Sequence, residues 1–240
     1  MPVLQNLLKL FQPPGTPRIL FLHGFTRSGA AFSAQTQALQ TQLHATCAPS
    51  GDFHFPDGTI PLQPSFADNI EGAYAWWRKC DESGLYIGLD DTLRFLGNYL
   101  DLHGPFAGVV GFSQGACLAA ILASVLERED RRMGEFGPGM VTEHGRLGFV
   151  VAMSGFRPAA SVYDGFYVPR IETPVLSVLG RRDEIVKSER SVELHRACKD
   201  VKVLWHERGH VVPRDEETVG RIVEWIKGKL PSEEKKPPGN

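Results

Sequence analysis

Ser113 is the residue of this 240-residue chain whose surroundings most clearly favour chemistry, because it lies in the middle of the glycine-bounded segment Gly111–Gly115. The apolar run 106–110 before it is typical of a buried strand, and the alanine-rich run 116–123 after it is typical of a buried helix. A serine on a sharp strand-to-helix turn forms a nucleophile elbow, in which small neighbours leave its hydroxyl exposed at the helix N-terminus. The pattern therefore predicts a serine nucleophile.

A serine hydroxyl is a weak nucleophile at neutral pH, so this chemistry also needs a histidine base and an acid that orients the histidine. Asp183 and His210 each come shortly after an apolar run, and the order serine, acid, histidine is that of one known class of triad. Glu184 is the alternative acid and His206 is the alternative base. We prefer Asp183, which follows a glycine turn, and His210, because the glycine before it lets the loop bend back to the serine.

Cleavage of an acyl bond further needs N–H donors directed at the oxygen on which negative charge develops. One donor is expected to be the backbone amide of Gln114, because free N–H groups converge at the start of a helix. The other is expected from the turn after the first strand, where His23 and Gly24 precede Phe25. The alternative for that turn is a purely structural role. The sequence thus predicts an oxyanion hole made of the amides of Phe25 and Gln114.

These residues need a framework, and the sequence predicts one in which strands alternate with helices. Strands are predicted at 19–22, 45–48, 106–110, 149–153, 175–179 and 201–205, and helices at 28–43, 89–100 (with Asp90 as N-cap), 116–123, 188–198 and 216–230. The strands are nearly continuous in apolar residues, which indicates an α/β fold with a mostly parallel central sheet flanked by helices on both faces. Functional sites in such sheets lie at the carboxyl ends of the strands.

Residues 1–230 are expected to form a single domain, followed by a disordered tail at 231–240. Two long loop excursions are expected at 49–88 and 155–173, and a surface loop at 128–146. Five histidines in helix or loop contexts are expected at the surface: His44, His54, His103, His144 and His195.

The loop excursions are rich in aromatic residues, which are predicted to line an apolar acyl pocket near the catalytic edge of the sheet. The alternative is that these rings cap the core beneath the loops. The candidates for substrate binding are Tyr74, Trp76, Trp77 and Phe156, with Phe53, Phe55, Phe166 and Tyr167 in the same two clusters.

Charge and composition exclude several classes of partner. A formal net charge of −2 gives no reason to expect binding to nucleic acid or to an anionic membrane. The four cysteines are scattered without zinc-site spacing, so reduced thiols are expected, with neither a metal nor an organic cofactor. The N-terminus lacks the features of a signal peptide and no apolar run is long enough to span a bilayer, so a cytoplasmic enzyme is expected.

Five segments together resemble the FSH family of eukaryotic serine hydrolases. They are Leu22–Phe25, Gly104–Ala116, Ser154–Phe156, Gly180–Val186 and Gly209–Pro213, and the resemblance runs from about Arg18 to Ile226. It implies the α/β-hydrolase fold and gives the roles of triad serine, acid and histidine to Ser113, Asp183 and His210. The chain departs from its relatives at Arg208, where they often carry a second glycine before the histidine, and at 131–146, where no motif matches. The resemblance therefore leaves the shape of the pocket mouth open.

The resemblance also implies an activity. Members of the family include carboxylesterases and, in fungal clusters for secondary metabolism, thioesterases that release a polyketide from its synthase. We therefore expect a serine esterase that cleaves small-molecule carboxylic esters of hydrophobic acyl groups through an acyl-enzyme. The close alternative is a thioesterase that releases a polyketide or fatty acyl product from coenzyme A or from an acyl-carrier protein. A non-catalytic module that binds a hydrophobic ligand is the alternative from a different class.

Overall fold

A parallel sheet forms the centre of the computed structural model, which describes residues 16–63, 72–133 and 138–230. The strands in these ranges are Arg18–Leu22 (β1), Asp52–His54 (β2), Ile60–Pro61 (β3), Tyr74–Ala75 (β4), Arg78–Lys79 (β5), Tyr86–Ile87 (β6), Gly108–Phe112 (β7), Phe149–Met153 (β8), Val175–Gly180 (β9) and Val201–His206 (β10). Six of them make one sheet in the order β2-β1-β7-β8-β9-β10, with all pairings parallel. Strands β3 and β4, and β5 and β6, form two small antiparallel pairs.

Helices cover both faces of this sheet, as predicted. They are Gly29–Gln35 (α1), Gln37–Thr46 (α2), Leu89–His103 (α3), Gln114–Glu127 (α4), Glu129–Met133 (α5), Ser188–Arg196 (α6) and Glu216–Lys227 (α7), and a 3-10 helix spans Ser161–Phe166. Side chains alternate between the two faces along each strand. In β1, Leu20 and Leu22 therefore pack with α3, α4 and α6, whereas Ile19 and Phe21 pack with α1, α2 and α7.

Parallel pairing brings the carboxyl ends of the strands to one edge of the sheet. Leu22 at the end of β1 lies opposite Gly111 in β7, and Met153 at the end of β8 lies opposite Phe112. The ends of β9 and β10 are likewise paired with each other. The loops that follow these strands emerge at the same edge, and they carry the residues that the sequence singles out.

The first third of the chain departs from the predicted element boundaries. The predicted helix 28–43 is two helices, because the chain turns at Thr36, whose hydroxyl donates to the carbonyl of Phe32. The predicted strand 45–48 is wrong, since α2 continues to Thr46 and the strand that pairs with β1 is β2. Helix α3 begins behind Gly88, which has a φ of 89°, so Asp90 lies in the first turn and is not the N-cap.

The segment 128–146, of which the structure describes all but 134–137, is in part the exposed loop that was expected, but it also contains a helix and buried side chains. This segment contains α5, and Arg131 in that helix is buried. Its guanidinium donates to the carbonyl and hydroxyl oxygens of Ser124 and to the carbonyl of Pro169, and lies 3.6 Å from the carboxylate of Glu127. These contacts compensate the burial of the charge and attach the segment to the end of α4.

His144 is also buried, which corrects the expectation that it lies at the surface. Its Nε2 accepts a hydrogen bond of 2.7 Å from the amide of Phe106, and its Nδ1 lies 2.7 Å from the carbonyl oxygen of Gly145. A histidine with an acceptor role on one nitrogen and a donor role on the other is neutral. The ring therefore connects the segment 138–147 to the strand that leads to Ser113.

The remaining expectations concern the C-terminal tail, membrane-spanning helices, metal sites and cysteines. The tail at 231–240 lies outside the described residues. Within residues 16–63, 72–133 and 138–230, no helix is both long and apolar enough to cross a membrane. The same ranges contain no group of three or more His, Cys, Asp or Glu side chains placed to hold a metal ion, and the four cysteines are free thiols.

The burial of histidines makes stability depend on pH. Burial lowers the pKa from the ordinary value of 6.5 for five of them: His23, His103, His144, His195 and His206. The unfolded chain then binds these protons at higher pH than the folded chain does. Their contribution to the free energy of unfolding is therefore present above 6.5 and is lost as the pH falls through the lowered folded-state values.

We expect the urea midpoint to fall when the pH is lowered from about 7.5 to about 5.5. Equilibrium unfolding followed by tryptophan fluorescence measures this midpoint, and the variant His206→Asn should show a shallower dependence on pH. A midpoint that stays constant or rises on acidification would contradict the prediction.

Candidate active site

The turn between β7 and α4 holds Ser113 in a strained backbone conformation. Its φ is 53° and its ψ is −113°, values that non-glycine residues rarely adopt, and its amide donates to the carbonyl of Met153 at 2.9 Å. A Cβ atom at Gly111 would lie 2.3 Å from the carbonyl oxygen of Gly115, and one at Gly115 would lie 2.0 Å from the carbonyl oxygen of Leu22. Both glycines are therefore needed for helix α4 to approach β1 and β7 this closely.

His210 lies within hydrogen-bonding distance of both Ser113 and Asp183. Its Nε2 is 3.0 Å from Ser113 Oγ, and its Nδ1 is 2.9 Å from Asp183 Oδ2. Because a carboxylate can only accept, Nδ1 carries the proton and Nε2 is free to accept from the serine hydroxyl. The ring also packs against Phe112, with 4.8 Å between ring centroids. An arrangement of this kind can remove the proton from a serine as the serine attacks.

Every oxygen of the Asp183 carboxylate is occupied. Oδ2 accepts from His210 and also from the hydroxyl of Ser154 at 2.7 Å, while Oδ1 accepts from the amides of Ile185 and Val186 at 3.0 and 2.8 Å. Burial acts to raise the pKa of this carboxyl, but the hydrogen bonds from Val186, His210 and Ser154 outweigh burial and hold the pKa below its usual value. Asp183 is therefore an ionised, fixed acceptor for His210.

The alternative acid and base lie elsewhere. Glu184 is exposed to solvent, and His206 is buried, where its Nδ1 accepts from the amide of Arg208 at 3.3 Å. Arg181, two residues before Asp183, forms an ion pair with Glu207 at 2.9 Å. Of the candidates considered from sequence, the structure brings together Ser113, Asp183 and His210 only.

The two expected oxyanion donors have free backbone amides. Gln114 is the first residue of α4, Phe25 lies in the turn after β1, and neither N–H group donates to another described residue. The side chain of Gln114 is held separately: its Oε1 accepts from the amide of Trp76, and its Nε2 donates to the carbonyl of Trp77, both at 2.9 Å. The Gln114 amide is thus available to a ligand while its side chain anchors a loop.

His23 fixes the turn that carries Phe25. Its ring is fully buried and stacked on Trp76, its Nε2 accepts from the amide of Gly58 at 2.9 Å, and its Nδ1 lies 2.8 Å from the carbonyl of Gly24. Burial lowers the pKa of this histidine, which keeps it neutral. His23 is a structural residue of the turn, and its ring nitrogens bond to Gly24 and Gly58 and not to Ser113.

The aromatic residues expected in the pocket divide into two sets. Trp76 and Trp77 are buried in the core: the indole N–H of Trp76 donates to the carbonyl of His23, and Trp77 stacks on Tyr86. Phe53 and Phe55 pack against Phe21 on the other face of the sheet, so they do not join the Tyr74 cluster as expected. These rings have the core-capping role that was the alternative.

Tyr74 and Phe156 adjoin loops that carry residues of the site. The carbonyl of Tyr74 accepts from the amide of Thr26 at 3.1 Å, which places Tyr74 beside the turn of Phe25. Phe156 follows Ser154 by two residues at the end of β8. Both residues are therefore next to elements that carry the site.

Ser154 is a residue that the sequence reasoning missed as part of the site. It is buried and has a φ of 49°, which a serine rarely adopts without a reason. The conformation directs its hydroxyl to the oxygen of Asp183 that His210 also contacts. A serine directly after a buried strand, at the same edge as the elbow, was the available signal.

A parallel sheet with a serine elbow and an ionised acid–histidine pair at its carboxyl edge defines a serine hydrolase of the α/β-hydrolase class. The family model "Serine hydrolase (FSH1)" matches residues 14–222, and the chain belongs to this family. "Family of serine hydrolases 2" of Saccharomyces cerevisiae is 31% identical over 228 residues, which cover 88% of this chain and 98% of that protein.

Two further proteins show how far the similarity extends. A dihydrofolate reductase of Schizosaccharomyces pombe is 31% identical over 212 residues, which cover 82% of this chain but 44% of that protein, so this chain spans less than half of it. The crystal structure of acyl-protein thioesterase 2 from Zea mays has a TM-score of 0.63 at 23% identity and covers 92% of this chain and 97% of its own. That likeness establishes the α/β-hydrolase fold.

The steric role of Gly115 can be tested by stability. We expect Gly115→Ala to cost about 3 kcal/mol or more of folding free energy, because the added Cβ meets a backbone oxygen that cannot move aside without separating α4 from β1. Gly220→Ala is the matched control, since its Cβ would come no closer than 3.7 Å to the flexible Gln42 side chain. Inside helix α7 that change should instead stabilise by about 0.5 to 1 kcal/mol. Similar urea midpoints for the two variants would contradict the steric argument.

Proposed function

We propose that Ser113, His210 and Asp183 are a catalytic triad that hydrolyses carboxylic esters of hydrophobic acyl groups. The observation that supports this most strongly is the continuous hydrogen-bond chain of 3.0 Å and 2.9 Å from the serine through the histidine to the carboxylate. An ionised Asp183 stabilises the imidazolium that forms when His210 takes the serine proton. Membership of a serine hydrolase family agrees with this chemistry.

The reaction follows from these positions. Ser113 Oγ attacks the ester carbonyl carbon while His210 Nε2 takes its proton, and the carbonyl oxygen becomes an oxyanion between the amides of Phe25 and Gln114. The tetrahedral intermediate collapses, and His210 returns the proton to the departing alcohol oxygen. Water then attacks the acyl-enzyme with His210 again as base, which releases the carboxylic acid and restores Ser113.

The exposed apolar residues around the triad support a hydrophobic substrate. Phe25, Ile185 and Val211 are 44%, 68% and 40% exposed, and each is either an oxyanion residue or a close sequence neighbour of Asp183 or His210. They lie on three different loops that meet at the serine. We propose Phe156 and Tyr74 as lining residues of the acyl site, with Trp76 and Trp77 as the packed layer behind it.

An acyl thioester forms the same acyl-enzyme, so the ester assignment needs a direct test. Esters and thioesters of matched acyl chain length should be hydrolysed with kcat/KM higher for the ester. A preference for acyl groups carried by coenzyme A or by an acyl-carrier protein would contradict the ester assignment. The substrate would then be a fatty acyl or polyketide thioester.

The nucleophile can be identified directly. A fluorophosphonate probe should label Ser113 and no other serine, because only a serine with a basic histidine at hydrogen-bonding distance attacks the phosphorus atom readily. Ser113→Ala should abolish both labelling and turnover while leaving the free energy of unfolding within about 1 kcal/mol of that of the original protein. Absence of labelling in a folded sample would favour a non-catalytic hydrophobic-ligand module.

Ser154 should contribute to turnover through Asp183. Ser154→Ala removes one donor from the carboxylate, so we expect kcat to fall about tenfold with KM little changed. The pKa of Asp183 should rise, and because the activity needs the carboxylate, the acid limb of the pH–rate profile should move to higher pH. Ser191→Ala is the matched control, because it removes a buried hydroxyl that bonds to the carbonyl of Gly155 at 2.7 Å without touching Asp183. Equal pH profiles for the two variants would contradict a role for Ser154.

A further inference from the structure

Arg190 is an arginine near the site whose guanidinium has no carboxylate partner among the described residues. It lies over the ring of Phe156, with 4.1 Å from the guanidinium carbon to the ring centroid. Neighbouring arginines are paired differently, as ion pairs: Arg157 with Asp164 at 2.5 Å, Arg181 with Glu207 at 2.9 Å and Arg196 with Glu193 at 2.5 Å. Arg190, which is exposed, therefore presents a positive charge and N–H donors that no described residue accepts.

The first turn of α6 fixes Arg190 beside the elbow. The hydroxyl of Ser191 donates to the carbonyl of Gly155 at 2.7 Å, which ties α6 to the segment between Ser154 and Phe156. A Cβ atom at Gly155 would lie 3.4 Å from the side chain of Ala116, so this segment in turn packs on the first turn of α4. Arg190 is thus joined to the Ser113 end of α4 by one continuous set of contacts.

The charge of Arg190 affects two buried groups near α4. Burial raises the pKa of the Tyr86 phenol and of the Cys117 thiol, and the positive charge of Arg190 acts in the opposite direction on both groups. Cys117 lies one turn along α4 from the nucleophile, and its amide donates to the carbonyl of Ser113 at 3.0 Å. This effect agrees with the contact at 4.1 Å, which holds the guanidinium over the ring of Phe156.

We infer that Arg190 binds a carboxylate carried by the ester substrate, an inference that rests on the proposed function of Ser113. The planar guanidinium offers two parallel N–H donors, which match the two oxygens of a carboxylate. Stacking on Phe156 holds that plane in place before the substrate arrives, so little rotational freedom is lost on binding. The substrate class is thus an ester with an apolar chain next to the reacting carbonyl and an anionic carboxylate further away.

Matched pairs of substrates test this inference. On the acyl side, the mono-para-nitrophenyl ester of adipic acid is compared with the para-nitrophenyl ester of the same chain ending in an isopropyl group, which has the shape of a carboxylate without its charge. On the leaving-group side, the butyrate ester of para-hydroxybenzoate is compared with the butyrate ester of para-isopropylphenol. The side on which the charged member is preferred shows which part of the substrate Arg190 contacts.

We expect Arg190→Gln to lower kcat/KM for the charged member of one pair by about tenfold to a hundredfold, the usual worth of a charge-assisted hydrogen bond, with the neutral member unchanged. Arg190→Lys should recover part of the loss, because it keeps the charge but not the paired donors. Arg196→Gln is the matched control, since it removes the same charge from the same helix at a position paired with Glu193.

The results distinguish a failure of the proposed ester hydrolysis from a failure of the proposed role of Arg190. If the original protein hydrolyses neither member of either pair, the proposed ester hydrolysis is overturned, and the role of Arg190 falls with it. If both members are hydrolysed but Arg190→Gln leaves the ratio of charged to neutral turnover unchanged, ester hydrolysis stands and only the carboxylate role of Arg190 is overturned.

Discussion

The close approach of α4 to β1 is the constraint on which the rest of the site depends. A Cβ atom at Gly115 would lie 2.0 Å from a backbone oxygen of Leu22, so the helix reaches this position only because that residue is glycine. The approach sets the first amide of α4 next to the turn after β1, and it also presents Ser113 at the sheet edge. The absence of a side chain at Gly115 thus helps to determine the positions of the Ser113 hydroxyl and of the amides of Phe25 and Gln114.

The second half of the arrangement depends on sharing a single carboxylate oxygen. Asp183 Oδ2 accepts from His210 and from Ser154, which follow two different strands, β10 and β8. The carboxylate itself follows β9, which lies between them in the sheet. The orientation of His210 therefore depends on three neighbouring strands, and a rotation of any of them would move its ring.

Much of this could be predicted from sequence, because apolar runs followed by glycine turns identify strand ends, and Ser113, Asp183 and His210 all follow such runs. Contacts between elements distant in sequence could not be predicted where no motif links the two elements. The bond from Ser154 to Asp183 depends on which strands are neighbours in the sheet. The burial of Arg131 depends on a hydrogen bond to the carbonyl oxygen of Pro169, and the charged residues next to Arg131 in the sequence do not indicate that bond. Aromatic residues in loops show the same limit, since composition does not say whether Trp76 faces substrate or core.

Gln114 has two roles: its side chain bonds to the backbone at Trp76 and Trp77, and its own amide is free. The loop that carries Trp76 and Trp77 is attached to the residue whose own amide is free next to Ser113. Selection therefore cannot reshape that loop while leaving the amide in place, or move the amide while keeping the loop.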